Sequence, residues 1–342
     1  MKKARAYKDR LKGHKDAVLC LCAPSGHEGS ILISGSAEGM VRVWDLKQRQ
    51  CLKKLRLKKP GQSAELLCFL FTGQQTCVGY SDGMLCAYDL EAGELASEMM
   101  GHEGSVNALC CDDKVVYSGS QDATVRVWTL ETAECLLVFQ FSDPVSALAV
   151  SITSSRLFVA TWDKVLRSVD LKTNKVQDVL LASQELIKTV LLSETHVFIG
   201  GCDPIIRAWN LESQECKTFQ GHKGWVLGLR IHGDYLYSSS DDRSIRVWDI
   251  PTCRCLEELV GHEDAVTDVE FVGGILYSAS LDHSIRTWDM VDMYRRIEER
   301  KSMMQDDILS WKVYVYYKTI EDRKSGKGKK KKGKKGKKGK KK

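Results

Sequence analysis

Apolar and polar residues alternate through this chain in short runs, and the runs recur. Between 115 and 128, Val115, Tyr117 and Gly119 interleave with Val116, Ser118 and Ser120; then, past a turn, Val125 and Val127 interleave with Arg126 and Trp128. A period of two is the mark of β-strands. Apolar residues on both parities predict strands covered on both faces by neighbouring sheets. The fullest unit runs from Gly221 to Asp249. It reads Gly221-His222, an apolar strand around Val226 to Ile231, a turn at Gly233-Asp234 and a strand from Tyr235 to Ser240. Asp242 follows in a tight turn, and a strand from Ser244 to Val247 runs into Trp248-Asp249. Forty residues later the order returns as Gly261-His262, Val266, Tyr277-Ser278, Asp282 and Trp288-Asp289.

A unit of three or four short strands cannot bury its own faces, so copies must pack side by side. Aligned on Trp-Asp or its substitute, units end at Trp44-Asp45, Tyr88-Asp89, Trp128-Thr129, Val169-Asp170, Trp209-Asn210, Trp248-Asp249 and Trp288-Asp289, spaced by 44, 40, 41, 40, 39 and 40 residues. The repeats span about 11–50, 58–95, 99–135, 139–175, 180–216, 219–255 and 259–290. Such a series overrides the two-domain expectation that 342 residues would otherwise carry.

These units resemble the WD-repeat family of β-propellers, in which each repeat supplies one four-stranded blade. Gly-His opens four units, at His14, His102, His222 and His262; the turn acid is Asp82, Asp122, Asp163, Asp203, Asp242 or Asp282, with Glu38 in the first unit. The resemblance covers about residues 5–290 and implies an all-β, seven-bladed propeller, with a buried hydrogen-bonded chain in each complete blade. By similarity the chains are His102, Ser120, Asp122 and Trp128; His222, Ser240, Asp242 and Trp248; and His262, Ser280, Asp282 and Trp288. His14 and Trp44 hold the same places in the first unit. Units two, four and five depart, with Gln62, Phe141 and Ser183 for histidine; in units two and four Tyr88 and Val169 stand for tryptophan. In the family a leading strand completes the last blade, and Ala4 to Lys12 matches it, which would remove exposed sheet edges. Only a dozen residues precede the first Gly-His, leaving no room there for an F-box, RING or coiled-coil module.

After Asp289 the pattern changes. Met290, Met293, Ile297, Met304 and Ile308 fall near helical spacing, predicting an amphipathic helix from about Asp292 to Leu309. Trp311 to Ile320 alternates and predicts a strand, so 291–322 forms a helix-strand appendix. Residues 323–342 carry Arg323 and thirteen lysines with no acid, leaving residues 1–322 with a net charge of −8. This Lys/Gly tail cannot fold alone. It suits a nuclear or nucleolar address or nonspecific contact with RNA or another polyanion, and it lacks aromatics for base stacking.

Composition removes several chemistries. No apolar run reaches about 18 residues and no apolar leader is present, so an intracellular protein without a membrane span is expected, in the cytoplasm, the nucleus or both. Thirteen cysteines are an odd number, and Cys51, Cys135, Cys216 and Cys255 recur at one repeat position, which predicts small core residues kept reduced. Cys20-x-Cys22, Cys110-Cys111 and Cys253-x-Cys255 lack zinc spacing, so no metal is expected. Residues 328–335 imitate a phosphate-binding loop but lack its Ser or Thr and follow no buried strand. No catalytic constellation or cofactor motif is present. We therefore expect a non-enzymatic scaffold, monomeric within a larger complex.

In the resembled family, partners often meet one rim of the channel, at positions three and five after the histidine and just before the turn acid. That rim includes Trp162, Trp225, Glu65, Asn107, Gln121, Ser146, Lys188 and Asp241. The two tryptophans lie outside the repeat's own Trp position and offer anchors for a partner. Arginines that would read a phosphorylated segment are missing, and Glu65 with Asp241 favours neutral or basic peptides. An RNA-associated or ribosome-assembly factor held by the tail is the alternative. A ubiquitin-ligase receptor is disfavoured, because Trp44-Asp45, Trp248-Asp249 and Trp288-Asp289 lack an arginine two residues on.

Overall fold

The computed structural model describes residues 7–24, 30–57, 65–72, 75–112 and 115–299. It divides into two units, residues 1–290 and 291–342. Within the first, the described residues form seven four-stranded antiparallel sheets. Blades 1 to 6 take their strands in chain order, from Val18–Arg56, Leu66–Met99, Val106–Gln140, Val145–Ala182, Ile187–Phe219 and Val226–Val260.

Blade 7 departs from that order. Val266–Val272, Ile275–Ser280 and Ile285–Trp288 supply three strands, and Tyr7–Leu11 supplies the fourth, pairing Tyr7 with Trp288, Arg10 with Arg286 and Leu11 with Ile285. The N-terminal strand thus closes the ring. First strands of successive blades touch all the way round, including Val266–Val272 against Val18–Cys22 of blade 1. Closure covers the two sheet faces that an open array of blades would leave exposed.

The core lies between blades. In blade 3, Val125 and Val127 pack with Val145, Leu157 and Val159 of blade 4. Trp128 and Val116, on the opposite parity, pack with Cys77, Leu85 and Met99 of blade 2. Period-two alternation therefore divides each strand between two neighbours, which is why it reads as apolar on both parities.

Fourth strands carry a repeated β-bulge. Register shifts at Val43/Trp44, Val127/Trp128 and Val247/Trp248 leave Leu52, Leu136 and Leu256 as the extra residues. The thiols of Cys51, Cys135 and Cys255 donate to the carbonyls of Lys53, Leu137 and Glu257 at 3.2, 3.4 and 3.4 Å. These three cysteines are half-buried and pack against the edges of the core clusters, whereas Cys216 is exposed, which corrects the expectation of core residues for Cys216. A helix over 290–299 follows the last strand. Residues 300–342, including the expected helix end, the strand Trp311 to Ile320 and the lysine tail, lie outside the described residues. No described helix is long and apolar enough to cross a membrane.

Candidate functional site

Blades 3, 6 and 7 each hold a buried polar chain running from the tryptophan to the turn acid. In blade 3 the Trp128 indole donates to Ser118 Oγ at 2.7 Å, and Ser118 lies 2.7 Å from His102 Nε2. His102 Nδ1 lies 2.8 Å from Asp122 Oδ2. The carboxylate can only accept, so the neutral imidazole carries its hydrogen on Nδ1, and Nε2 accepts a hydrogen bond from the serine hydroxyl, whose oxygen in turn accepts from the indole. Blade 6 repeats the chain through Trp248, Ser238, His222 and Asp242 at 2.8, 2.6 and 2.8 Å. Blade 7 does so through Trp288, Ser278, His262 and Asp282 at 2.8, 2.7 and 2.8 Å.

The serines differ from those expected: Ser118, Ser238 and Ser278 bridge the rings, where Ser120, Ser240 and Ser280 were assigned. Register explains the correction. Trp128 stands opposite Val116, and Ser118 is the next residue along on the same face, within reach of the indole. Ser120 sits where its strand gives way to the turn. Its hydroxyl donates to Gly104 O at 2.9 Å and accepts the Asp122 N–H at 3.1 Å, so it shapes the turn that aims the aspartate. Ser280 does the same through Asp264 O and Asp282 N, and Ser240 accepts the N–H of Asp242.

Each aspartate is saturated. Although burial alone would raise Asp122, donation from Thr124, His102 and the Glu103 N–H holds its carboxyl at about 2. Asp242 and Asp282 are likewise held well below the usual range. Burial lowers His102 and His262, with their aspartates pulling the other way. These groups are fixed in one protonation state by their surroundings, which suits a structural role.

Blade 1 has the chain without its acid. His14 Nε2 meets Ser34 Oγ at 2.7 Å and Trp44 donates to Ser34 at 2.8 Å, but Glu38 stops 4.0 Å from Nδ1, which has no hydrogen-bond partner among the described residues. Burial and the nearby Arg42 lower His14 to about 4. Blades without histidine are adapted. In blade 2 the Tyr80 and Tyr88 hydroxyls lie 2.9 Å apart and both reach Leu57 O, at 2.7 and 2.5 Å. In blades 4 and 5, Arg167 and Arg207 pair directly with Asp163 and Asp203 at 2.5 and 2.6 Å.

That arginine is a repeat position the sequence reading passed over, although Val-Arg-Val-Trp and Ile-Arg-x-Trp carry it in plain view. In blades 1, 3 and 6 the guanidinium lies along the Gly-His glycine instead, while in blade 7 Arg286 stays 3.6 Å from Asp282. A Cβ on Gly101 would stand 2.7 Å from Arg126 Nη1, and one on Gly13 would stand 2.6 Å from Arg42 Nη1. The glycine lets the guanidinium lie close against the backbone.

At the rim, one backbone hydrogen bond recurs in all seven blades, from the residue before the turn acid to the residue three after the histidine position. It joins Ala37 to Ala17, Ser81 to Glu65, Gln121 to Ser105, Trp162 to Pro144, Cys202 to Leu186, Asp241 to Trp225 and Leu281 to Ala265, at 2.8–3.0 Å. Trp225 and Asp241 are therefore neighbours, whereas Trp162 stands on a different blade. Trp162 is 45% exposed and Trp225 50%, while Trp44, Trp128, Trp248 and Trp288 are buried. Glu65, Gln121 and Lys188 are exposed. Asn107 and Ser146 are half-buried and already occupied: Asn107 donates to Val145 O of the next blade at 2.9 Å, and Ser146 to Ala160 O at 3.2 Å.

The seam between blades 7 and 1 carries one more constellation absent from the sequence reading. The Leu21 N–H donates to Asp268 Oδ2 at 2.9 Å, Thr267 Oγ1 donates to Val18 O at 2.6 Å, and Arg230 of blade 6 donates to Glu270 at 2.6 Å. Burial raises the Asp268 and Glu270 carboxyls against the pull of Arg230. Among the described residues no group of His, Cys, Asp or Glu could hold a metal ion.

Seven antiparallel blades, a borrowed N-terminal strand and tryptophan-to-aspartate chains define a β-propeller of the WD-repeat class. Residues 6–45, 93–129, 213–249 and 253–289 match the WD domain, G-beta repeat. It is similar to the nuclear distribution protein nudF of Aspergillus niger, 25% identical over 277 residues, 70% of this chain and 60% of that protein. It is also similar to the nuclear distribution protein PAC1 of Coccidioides posadasii, 23% identical over 289 residues, 72% of this chain and 60% of that protein. A zinc finger CCCH domain-containing protein 17 of Oryza sativa subsp. japonica is 28% identical over 172 residues, 48% of this chain and 39% of that protein. The chain thus spans about 60% of the length of the nuclear distribution proteins it matches.

Proposed function

We propose that this chain is a non-catalytic interaction scaffold whose rim receives a neutral or basic segment of a partner protein, with Trp162 and the Trp225–Asp241 pair as anchors. The observation that carries this reading is the exposure of those two indoles on a ring that buries four of its five repeat tryptophans and half-buries the fifth, Trp209. A half-exposed indole loses apolar surface to water at no structural gain, and such rings concentrate binding energy when a partner covers them. An indole beside the Asp241 carboxylate suits a lysine or arginine of the partner, through ring face and charge together. The polar chains supply rigidity, which keeps rim positions fixed relative to one another. The relatives named for nuclear distribution support an interaction role only at this general level.

Affinity capture with the full chain beside a Trp162→Ala, Trp225→Ala double variant tests the reading. Loss of one anchor of this kind costs about 2 kcal/mol, so recovery of a rim partner should fall at least tenfold. Equal recovery by both chains overturns it. The lysine tail we assign to a nuclear or nucleolar address with nonspecific polyanion contact. Deleting residues 324–342 should change localisation and RNA retention while rim partners remain.

A further inference from the structure

The third residue of each blade's second strand faces the next blade, and in blades 3 to 7 it is a buried aromatic ring: Tyr117, Phe158, Phe198, Tyr237 and Tyr277. Tyr117 clusters with Val159 of blade 4, Phe198 with Leu236 of blade 6 and Tyr277 with Leu32 of blade 1. Blades 1 and 2 depart from this, with Ile33 and Cys77. Cys77 shares its cluster with Met99 and Trp128. Beside Ile33, between blades 1 and 2, lies a cavity of about 490 Å³ walled by Ile31, Ile33, Val43 and Phe71. The corresponding cleft between blades 3 and 4, which Tyr117 lines, holds about 340 Å³. The rest of the lining is polar. Gln75 and Asp89 stand opposite each other in blade 2 and both line the cavity, with Glu91. Asp89 Oδ1 accepts the N–H groups of Glu91 and Ala92 at 2.7 and 3.0 Å, and Gln75 Oε1 has no hydrogen-bond partner among the described residues. Lys53, also in the lining, donates to the carbonyls of Leu90 and Glu91 at 3.2 and 2.6 Å.

We propose that this cavity receives a tyrosine side chain from a partner protein. Its ring supplies beside blade 1 what five other blades carry themselves, in a cavity of the size that holds small ligands. Its hydroxyl donates to a carboxylate, as Tyr117 does to Asp112 Oδ2 at 2.9 Å in the cleft between blades 3 and 4. A phenol hydroxyl both donates and accepts, so it pairs with Gln75 whichever way that amide is turned. Charge narrows the choice further. Asp89 and Glu91 oppose an anion and Lys53 is already engaged by two carbonyls, so tyrosine enters and phosphotyrosine does not. Phenylalanine would fill the apolar walls but leave the acceptors unpaired. The strand Ile31–Ser36 runs from this cavity to the rim at Ala37, so the site lies at the opposite strand ends from the rim anchors and does not depend on them.

Titrating the full chain with acetyl-Gly-Tyr-Gly-amide, and following the methyl resonances of Ile31, Ile33 and Val43, tests the assignment. Saturable shifts are expected, with a dissociation constant on the order of 1 mM for a group of this size. The phenylalanine and phosphotyrosine counterparts should bind about fivefold more weakly or worse. Ile33→Phe fills the cavity from within, as Phe158 and Phe198 do in their own blades, and should abolish the shifts of Ile31 and Val43. Should circular dichroism show that variant unfolded, Gln75→Leu at the half-buried start of its strand serves instead, and should narrow the preference for tyrosine over phenylalanine about twofold. Methyls that do not respond at about 10 mM peptide overturn the proposal. So does a phenylalanine peptide that binds as well as the tyrosine one, or a phosphotyrosine peptide that binds better. If p-cresol binds here while the peptide does not, the site takes a free phenol and the assignment to a partner protein fails.

Discussion

Replacing Ser118 with alanine removes one hydroxyl and strands two rings. The Trp128 indole N–H and His102 Nε2 both depend on Ser118 Oγ, at 2.7 Å each, in a region closed to water. A buried polar group left without a partner costs about 1–3 kcal/mol, and partial relaxation of the site reduces the sum, so about 2–4 kcal/mol of stability should disappear. Ser120→Ala removes bonds to Gly104 O and from the Asp122 N–H at 2.9 and 3.1 Å. Those groups sit at a half-buried turn that water can reach, and the loss should be nearer 1 kcal/mol. Urea unfolding of the two variants measures the difference directly, and hydrogen exchange at the Trp128 indole adds a local readout. Exchange should quicken in Ser118→Ala and stay near wild type in Ser120→Ala. A Ser120 variant that costs as much as the Ser118 variant, or an indole proton indifferent to Ser118→Ala, would refute the assignment of the bridging serine.

Three further outcomes follow from the same geometry. His14 titrates near 4 in the folded chain against 6.5 in a free histidine. Its contribution to stability should therefore be complete above pH 6.5 and fall away as pH drops toward 4, by about 3 kcal/mol at 1.36 kcal/mol per unit; a His14→Gln variant should lose less between pH 7 and pH 4.5 when unfolding is measured at both. Gly101→Ala places a methyl 2.7 Å from Arg126 Nη1 and 3.4 Å from the Trp128 ring, and the displaced guanidinium should lower stability by about 1–3 kcal/mol in thermal unfolding. Asp268→Ala removes the acceptor of the Leu21 N–H, so amide exchange should quicken at residue 21 more than in the inner strands of blades 3 and 4.

Most of the ring was legible because repetition multiplies a weak signal. One alternating strand is ambiguous, but Trp44, Trp128, Trp248 and Trp288 at near-equal spacing are not, and Tyr7–Leu11 resembles the outer strands closely enough to be matched as the missing one. Choosing between Ser118 and Ser120 lay beyond pattern. Both recur and both share a strand face, so period two cannot separate them; only the pairing of Trp128 with Val116 does. Asp268 was hidden for a different reason. Its partner is 247 residues away in sequence, across the seam where the last blade meets the first. The arginines at 42, 126, 167, 207, 246 and 286 were visible as a recurrence, yet their task changes with the presence of histidine, which spacing does not encode. At the rim the positions were readable, but whether a side chain is available was not: Asn107 is consumed by Val145 O.

The bonds between Tyr7–Leu11 and Ile285–Trp288 have a kinetic consequence. Synthesis delivers the first of these segments hundreds of residues before the second, so a nascent chain must hold its earliest strand unpaired while six sheets are laid down behind it. Contacts so distant in sequence form late and slowly, and until they form the incomplete molecule is open to capture by other unfinished chains. The emergence of Ile285–Trp288, rather than any earlier stage of synthesis, is when the ring can first close.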